Sequence, residues 1–163
     1  SLEWLHQELL PALGSPPEGM GELIIAGNIK CEATLQLIRE MQIAYPFVVY
    51  AGLVEDLEPL FARTRLFLAP TRYAAGIPHK VHLASSHGIP SLTTSLIAEQ
   101  IGWSGQQAFL LADTPDQFAA AIRSAFSDTA RLSEIRRNMI RAFNRDCDPN
   151  AFARNIDAIV RGG

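Results

Sequence analysis

A parallel α/β domain is the fold class this sequence predicts, on three observations. Short apolar runs alternate with helical patterns along most of the chain. The runs are continuously apolar or β-branched, the pattern of strands covered on both faces. Beyond residue 114 the pattern is helical alone, which adds helices after a sheet that has helices on both faces.

The elements follow in order. Leu2-Glu3-Trp4-Leu5-His6 opens a helical pattern over 2–13, and Gly14-Ser-Pro-Pro-Glu-Gly-Met-Gly21 is a turn-rich loop too short to separate domains. Candidate strands are Glu22–Ala26, Phe47–Ala51, Leu66–Ala69, Ser91–Thr94 and Ala108–Leu111, with helices near 33–44, 57–63, 80–87 and 96–101 between them. Thr114-Pro115-Asp116-Gln117 joins an N-cap threonine, a first-turn proline and a glutamine three positions on, so a helix starts there. Phe118, Ile122 and Ala125 form its apolar face. Leu132, Ile135, Met139 and Phe143 form the stripe of a second helix, and Asp148-Pro149 opens a third.

Composition narrows the function classes. The 163 residues carry 14 basic and 17 acidic side chains, 48% apolar and 19% charged residues, as one globular domain does. No run reaches the roughly 18–20 apolar residues that span a bilayer. The acid excess argues against nucleic-acid binding, and no signal peptide is visible at the start. Cys31 and Cys147 show no CxxC spacing, which predicts two reduced thiols and a cytoplasmic setting. Charge is uneven: residues 1–120 hold six basic against twelve acidic side chains, residues 121–163 eight against five. Arg131, Arg136, Arg137, Arg141 and Arg145, with Glu134 and Asp146 among them, read as a solvated helix face; an acidic lipid surface or a partner is the alternative.

In an open parallel sheet, ligands bind beyond the carboxyl ends of the strands. The most informative of those loops runs from Pro70 to His79. Ala74, Ala75 and Gly76 keep bulk out of it, and a helix starts near Pro78 or His79 with Lys80 on its first turn. Unpaired helix-start amides suit a phosphate, and an anion would offset the repulsion between Lys80 and the helix dipole. A tight loop with an exposed lysine fits the same spacing. His79 and His82 are spaced i,i+3, but a metal needs at least a third ligand and the acidic candidates are distant in sequence, so they and His87 read as surface or core residues. Ser85 and Ser86 lack a nucleophile elbow, and Gly27-Asn28 is no full dinucleotide fingerprint. No catalytic constellation emerges.

The ordered set Gly52-x-Val54-x-Asp56-Leu57, Leu60-Phe61, Leu66-Phe-Leu-Ala-Pro70, Arg72-Tyr73, Gly76-Ile77, Lys80-Val81, Ala84, Gly88-x-Pro90 and Thr93-Thr94 resembles the C-terminal half of a GT-B glycosyltransferase. The similarity is to the group-one, retaining, nucleotide-sugar-dependent set, and covers roughly residues 20–127. It implies a Rossmann-like domain that binds a nucleotide-diphosphate sugar as donor and uses no further cofactor and no metal. The acceptor domain, and any peripheral membrane contact, would belong to a longer parent. By position, the Gly76 and Ile77 amides and Lys80 would face the diphosphate, Leu53 and Val54 the nucleobase, and Gly27 and Asn28 the same cleft. The family's two glutamates fall at Ala75 and Leu83, so both carboxylates are replaced. Pro78 stands where one loop version has lysine, which removes a charge and a backbone donor. The family's first strand would precede residue 1. The expectation is a single domain over 1–163, cut from a longer transferase and lacking that strand, with a gap or rearranged neighbours in mid-sheet. A binding or assembly module that has lost catalysis, and an unrelated α/β binding domain, are the rival readings.

Overall fold

The computed structural model of the chain describes residues 2–71, 79–103 and 107–147. The first helix, α1, is built from Leu2–Trp4, a wider π-type stretch Leu5–Leu9, and Leu10–Leu13. Its Leu10 amide donates to the Leu5 carbonyl, five residues back, one position before Pro11. A proline has no amide for the α-helical ladder and its ring crowds the preceding turn, and one widened turn absorbs both effects. Gly14 then ends the helix at φ +62°, a conformation that costs glycine little.

The strands are β1 (Leu23–Ala26), β2 (Val48–Gly52), β3 (Phe67–Ala69), β4 (Ser91–Thr93) and β5 (Leu110–Leu111). The helices after α1 are α2 (Glu32–Ala44), α3 (Glu58–Ala62), α4 (His79–Ser86), α5 (Ser95–Ile101), α6 (Pro115–Ser127) and α7 (Thr129–Asp146). Every candidate strand is present within two residues of its expected bounds. The third C-terminal helix, expected from Asp148, lies outside the described residues.

All pairings among the described residues are parallel, but they form two sheets. β1 pairs with β2, Leu23 beside Val48; β3, β4 and β5 form the second sheet in that order. No ladder joins β1 to β3 among the described residues. Burial reflects the break. Ser91, Leu92 and Thr93 of β4, paired on both sides, are fully buried, while Leu23, Ile24 and Ile25 of β1 and Phe67 and Leu68 of β3 are half-buried. Their apolar runs predict cover on both faces. The structure differs there because cover depends on lateral partners, which are not local to the run.

One apolar core joins the two sheets. Trp4, Leu9, Leu10 and Leu13 of α1 pack with Ile38 and Met41 of α2, Val48, Leu92, and Phe118 and Ile122 of α6. Trp4 meets Phe118 edge to face at 5.3 Å. Arg123 of α6 donates to the Leu13 carbonyl, holding the end of α1. A second core forms around Trp103, with Val81, Ile97, Phe109 and Met139. Trp103 stacks on Phe109 at 5.6 Å, and its indole N–H donates to Asp146 Oδ2 at 2.6 Å, closing α7 onto this core. The starting signal of α6 is a complete capping box, with Thr114 accepting the Gln117 amide and Gln117 reaching back to the Thr114 amide. The five arginines expected on a solvated face of α7 are all exposed.

Candidate functional site

Because the strands of each sheet are parallel, the loops that leave them gather at the carboxyl rim. Gly27 and Asn28 follow β1. Gly27 takes φ +154°, its amide donates to the Gly52 carbonyl at 2.8 Å, and its carbonyl accepts the Tyr50 hydroxyl at 2.9 Å. Gly27 is half-buried and Asn28 exposed. Leu53 and Val54 follow β2 past Gly52 at φ +67°; Leu53 is 64% exposed and Val54 half-buried.

The exit of β3 is held by two threonines. Thr93 donates to the Ala69 carbonyl at 3.3 Å, and Thr94 to the Thr71 carbonyl at 2.8 Å. Thr94 also caps α5 by accepting the Ile97 amide. At the exits of β4 and β5, Asp113 accepts from the Ser95 amide at 2.8 Å and from the Ser95 hydroxyl at 2.7 Å. The Asp113 amide in turn donates to Gln117 Oε1. These hydroxyl and carboxylate contacts tie the roots of three successive loops together. The sequence reading missed this role for Thr94 and Asp113. The only local signal was a threonine, and an aspartate one residue before another threonine, at the two helix starts.

Helix α4 begins at His79, with His79 and Lys80 exposed on its first turn. Val81, Ala84 and Ser85 are buried, and Lys80 and Leu83 fall together on the open side, Leu83 at 42% exposure. Gly76 and Ile77, the residues expected to face a diphosphate, lie outside the described residues. The structure places Gly27 and Asn28 after β1, Leu53 and Val54 after β2, and Lys80 and Leu83 on α4. His82 lies edge-on to Trp103 at 5.6 Å, and His87 lies 3.4 Å from Glu58 and 4.7 Å from the Phe61 ring. Among the described residues no group of three His, Cys, Asp or Glu is placed to hold a metal ion.

Cys31 stands in the loop from β1, at the start of α2. The neighbouring Thr34 side chain, with the Thr34 and Ala33 amides at the start of α2, holds its thiol below the ordinary range. Burial, with the Asp146 charge, pushes Cys147 upward. Both cysteines are free and exposed. Two cavities, of about 450 and 310 Å³, lie away from the rim residues named above. Trp103, Phe109 and Leu111 line the first; Arg65, Gly88 and Arg136 line the second. No described helix is long and apolar enough to cross a membrane.

Residues 1–128 match the family model described as Glycosyl transferases group 1. Anabaena Alr3699/HepE is similar in fold. Its crystal structure with UDP and glucose superposes with a TM-score of 0.76 at 17% identity, over 99% of this chain and 46% of that one. The same protein with UDP alone gives 0.77. WaaG, a glycosyltransferase involved in lipopolysaccharide biosynthesis, gives 0.66 at 20% identity, over 94% of this chain and 42% of that one. The chain thus spans less than half the length of the structures it resembles. No curated protein matches it significantly.

Proposed function

Because the chain belongs to the group 1 glycosyl transferases, we propose that it is the part of such an enzyme that binds the nucleotide-sugar donor. The observation that carries this reading is the parallel pairing within each sheet, which puts the exits of its strands at one end. Parallel strands bring the exits of β1, β2 and β3 and the first turn of α4 to the end of the sheets where ligands bind in open α/β folds. Alr3699/HepE, similar in fold, holds UDP and glucose, which supports the reading.

In this reading Leu53 and Val54 lie against the nucleobase, and Gly27 and Asn28 line the cleft. The Gly76 and Ile77 amides, with Lys80, meet the diphosphate. As the sugar leaves, negative charge grows on the terminal phosphate. Helix-start amides and an ammonium group stabilise that charge without reorganising. Acceptor binding falls to a further domain of a longer protein, with a cytoplasmic setting and membrane contact as properties of that parent.

Calorimetry against UDP-, GDP- and ADP-sugars tests the proposal. One nucleotide class is expected to bind, and Lys80→Ala to weaken it by about 1.5–3 kcal/mol, roughly 10- to 150-fold, for loss of a charge-assisted contact. No heat with any donor, from a chain that unfolds cooperatively, refutes it.

The exposed Leu83 favours a second reading, a module that has kept the rim and lost transfer. A carboxylate there would accept the ribose hydroxyls, which leucine cannot. Leu83→Glu separates the two. A steep gain in nucleotide affinity means the pocket is intact, whereas no change means the rim has another use.

A further inference from the structure

The second cavity, of about 310 Å³, has no part in the donor reading. Arg65 lies just ahead of β3, and His87 to Pro90 just ahead of β4. The cavity therefore sits at the amino ends of two parallel strands, at the opposite end of that sheet from its carboxyl rim. A further wall is the start of α7, where Thr129, Ser133 and Arg136 recur at steps of four and three and so share one face. Arg65, His87 and Arg136 are the ionisable side chains among the described lining residues, and none of these is acidic.

The two guanidiniums are held there differently. Arg65 donates from Nε and Nη2 to the Ala125 carbonyl at 3.2 and 3.0 Å and stands over the Phe126 ring at 5.0 Å. Its orientation is thus set, while Nη1 takes no partner among the described residues. Arg136 has no hydrogen-bond or ion-pair partner among the described residues. Its guanidinium lies against Gly88, where a Cβ would come within 3.3 Å of Nη2 and 3.4 Å of Nε. Both arginines are exposed, so a ligand reaches them without any movement of the fold. Thr129 Oγ1 accepts from Arg65 at 3.4 Å and keeps its own proton to donate, whereas Thr64 and Ser133 give theirs to the Leu60 and Thr129 carbonyls. Glu58 engages His87 at 3.4 Å and Asp128 accepts the Arg131 amide, so neither carboxylate neutralises the two arginines.

We propose that this cavity binds a phosphomonoester. Arg65 and Arg136 hold the phosphate between them, and the Thr129 hydroxyl donates to a further oxygen. Guanidinium suits this group because its planar N–H edges match phosphate oxygens in pairs, and two cations balance a dianion. The cavity is at the lower end of the roughly 300–1,000 Å³ of small-molecule sites, more than a bare phosphate fills. A compact carbon skeleton therefore lies against Phe61, Ile89 and Leu132, the apolar part of the wall. The site is independent of the donor reading and stands if that reading fails. A soluble metabolite and a lipid headgroup both carry this group, and the test separates them.

Amide and arginine Nε resonances of the 163-residue chain are followed by NMR, without nucleotide, as glycerol 3-phosphate is added at constant ionic strength. Inorganic phosphate and chloride are titrated in parallel. Saturable shifts are expected at Gly88, Thr129 and Ser133 and at Arg136 Nε, with the ester bound more tightly than phosphate and chloride silent. Arg136→Gln is expected to weaken binding at least about tenfold, for loss of a charge-assisted contact, and to leave the urea midpoint unchanged. Arg137→Gln removes the same charge from an exposed position outside the cavity and is expected to leave the affinity unchanged. Flotation with phosphatidic acid vesicles, against phosphatidylcholine alone, decides the source. Retention that Arg136→Gln abolishes assigns a lipid headgroup, and binding of the ester without retention assigns a soluble one. Shifts confined to His79 and Lys80 would move the anion to the rim and overturn the proposal. So would equal weakening by the two arginine variants, which marks a diffuse charge effect, or no saturation by about 10 mM glycerol 3-phosphate.

Discussion

Thr94→Val asks how far the rim depends on one hydroxyl. Thr94 is 4% exposed, and its Oγ1 donates to the Thr71 carbonyl at 2.8 Å while accepting the Ile97 amide at 3.4 Å. Valine keeps the shape, so no cavity opens and only the two bonds are lost. Loss of an N-cap costs about 1 kcal/mol. The Thr71 carbonyl, left without its donor, adds about 1 kcal/mol more. An unfolding entropy of about 2.1 cal/mol/K per residue gives roughly 340 cal/mol/K for this length, so about 2 kcal/mol lowers Tm by about 6 °C. Thr94→Ser restores the hydroxyl and loses one methyl group, and is expected to cost less than half as much. Urea and thermal unfolding of the three proteins measure this directly. The reasoning fails if valine lies within about 0.5 kcal/mol of the parent chain, the usual range for inconsequential substitutions. Thr71 also leads into the loop assigned to the diphosphate, so the same variant is expected to weaken donor binding in calorimetry without touching the donor.

Three further outcomes are expected. The hydrogen bond from Arg145, with that from the Trp103 indole, holds the Asp146 carboxyl below the usual carboxylate range. Its folded pKa lies under its unfolded one, so its stabilisation is present above the unfolded value and fades as pH falls through the folded value. Asp146→Asn is expected to lose about 1 kcal/mol at neutral pH, after allowing for solvent at a partly exposed site, and the gap from the parent to close in acid; urea midpoints against pH measure this. Cys31, with its lowered thiol pKa, is expected to alkylate with iodoacetamide at lower pH than Cys147, whose pKa is raised. Peptide mapping across a pH series reads both rates, and equal profiles would contradict the assignment. Tyr50→Phe removes the hydroxyl that donates to the Gly27 carbonyl, at a cost of about 1 kcal/mol in urea unfolding.

Much of the architecture is legible in the sequence. Thr114, Pro115 and Gln117 marked the start of α6, because a capping box is local chemistry over four residues. Leu132, Ile135 and Met139 are buried and the arginines among them exposed, because helical period alone decides which side of α7 meets the core. The candidate site was legible in part. Strand exits are read from apolar runs, and the parallel pairing puts them at one end of each sheet. Missed were the contacts between exits, Thr94 to Thr71 and Ser95 to Asp113, whose partners lie 23 and 18 residues away. No spacing rule reaches across a helix to find them.

By itself the sequence determined the kind, order and approximate bounds of the elements, since period, caps and turns are decided within a few residues. Tertiary structure decided which strands have neighbours. Leu23-Ile24-Ile25 and Ser91-Leu92-Thr93 both read as covered runs, yet only the second has a partner on either side. A strand's burial depends on what lies about 4.8 Å to its left and right, and those neighbours come from distant parts of the chain.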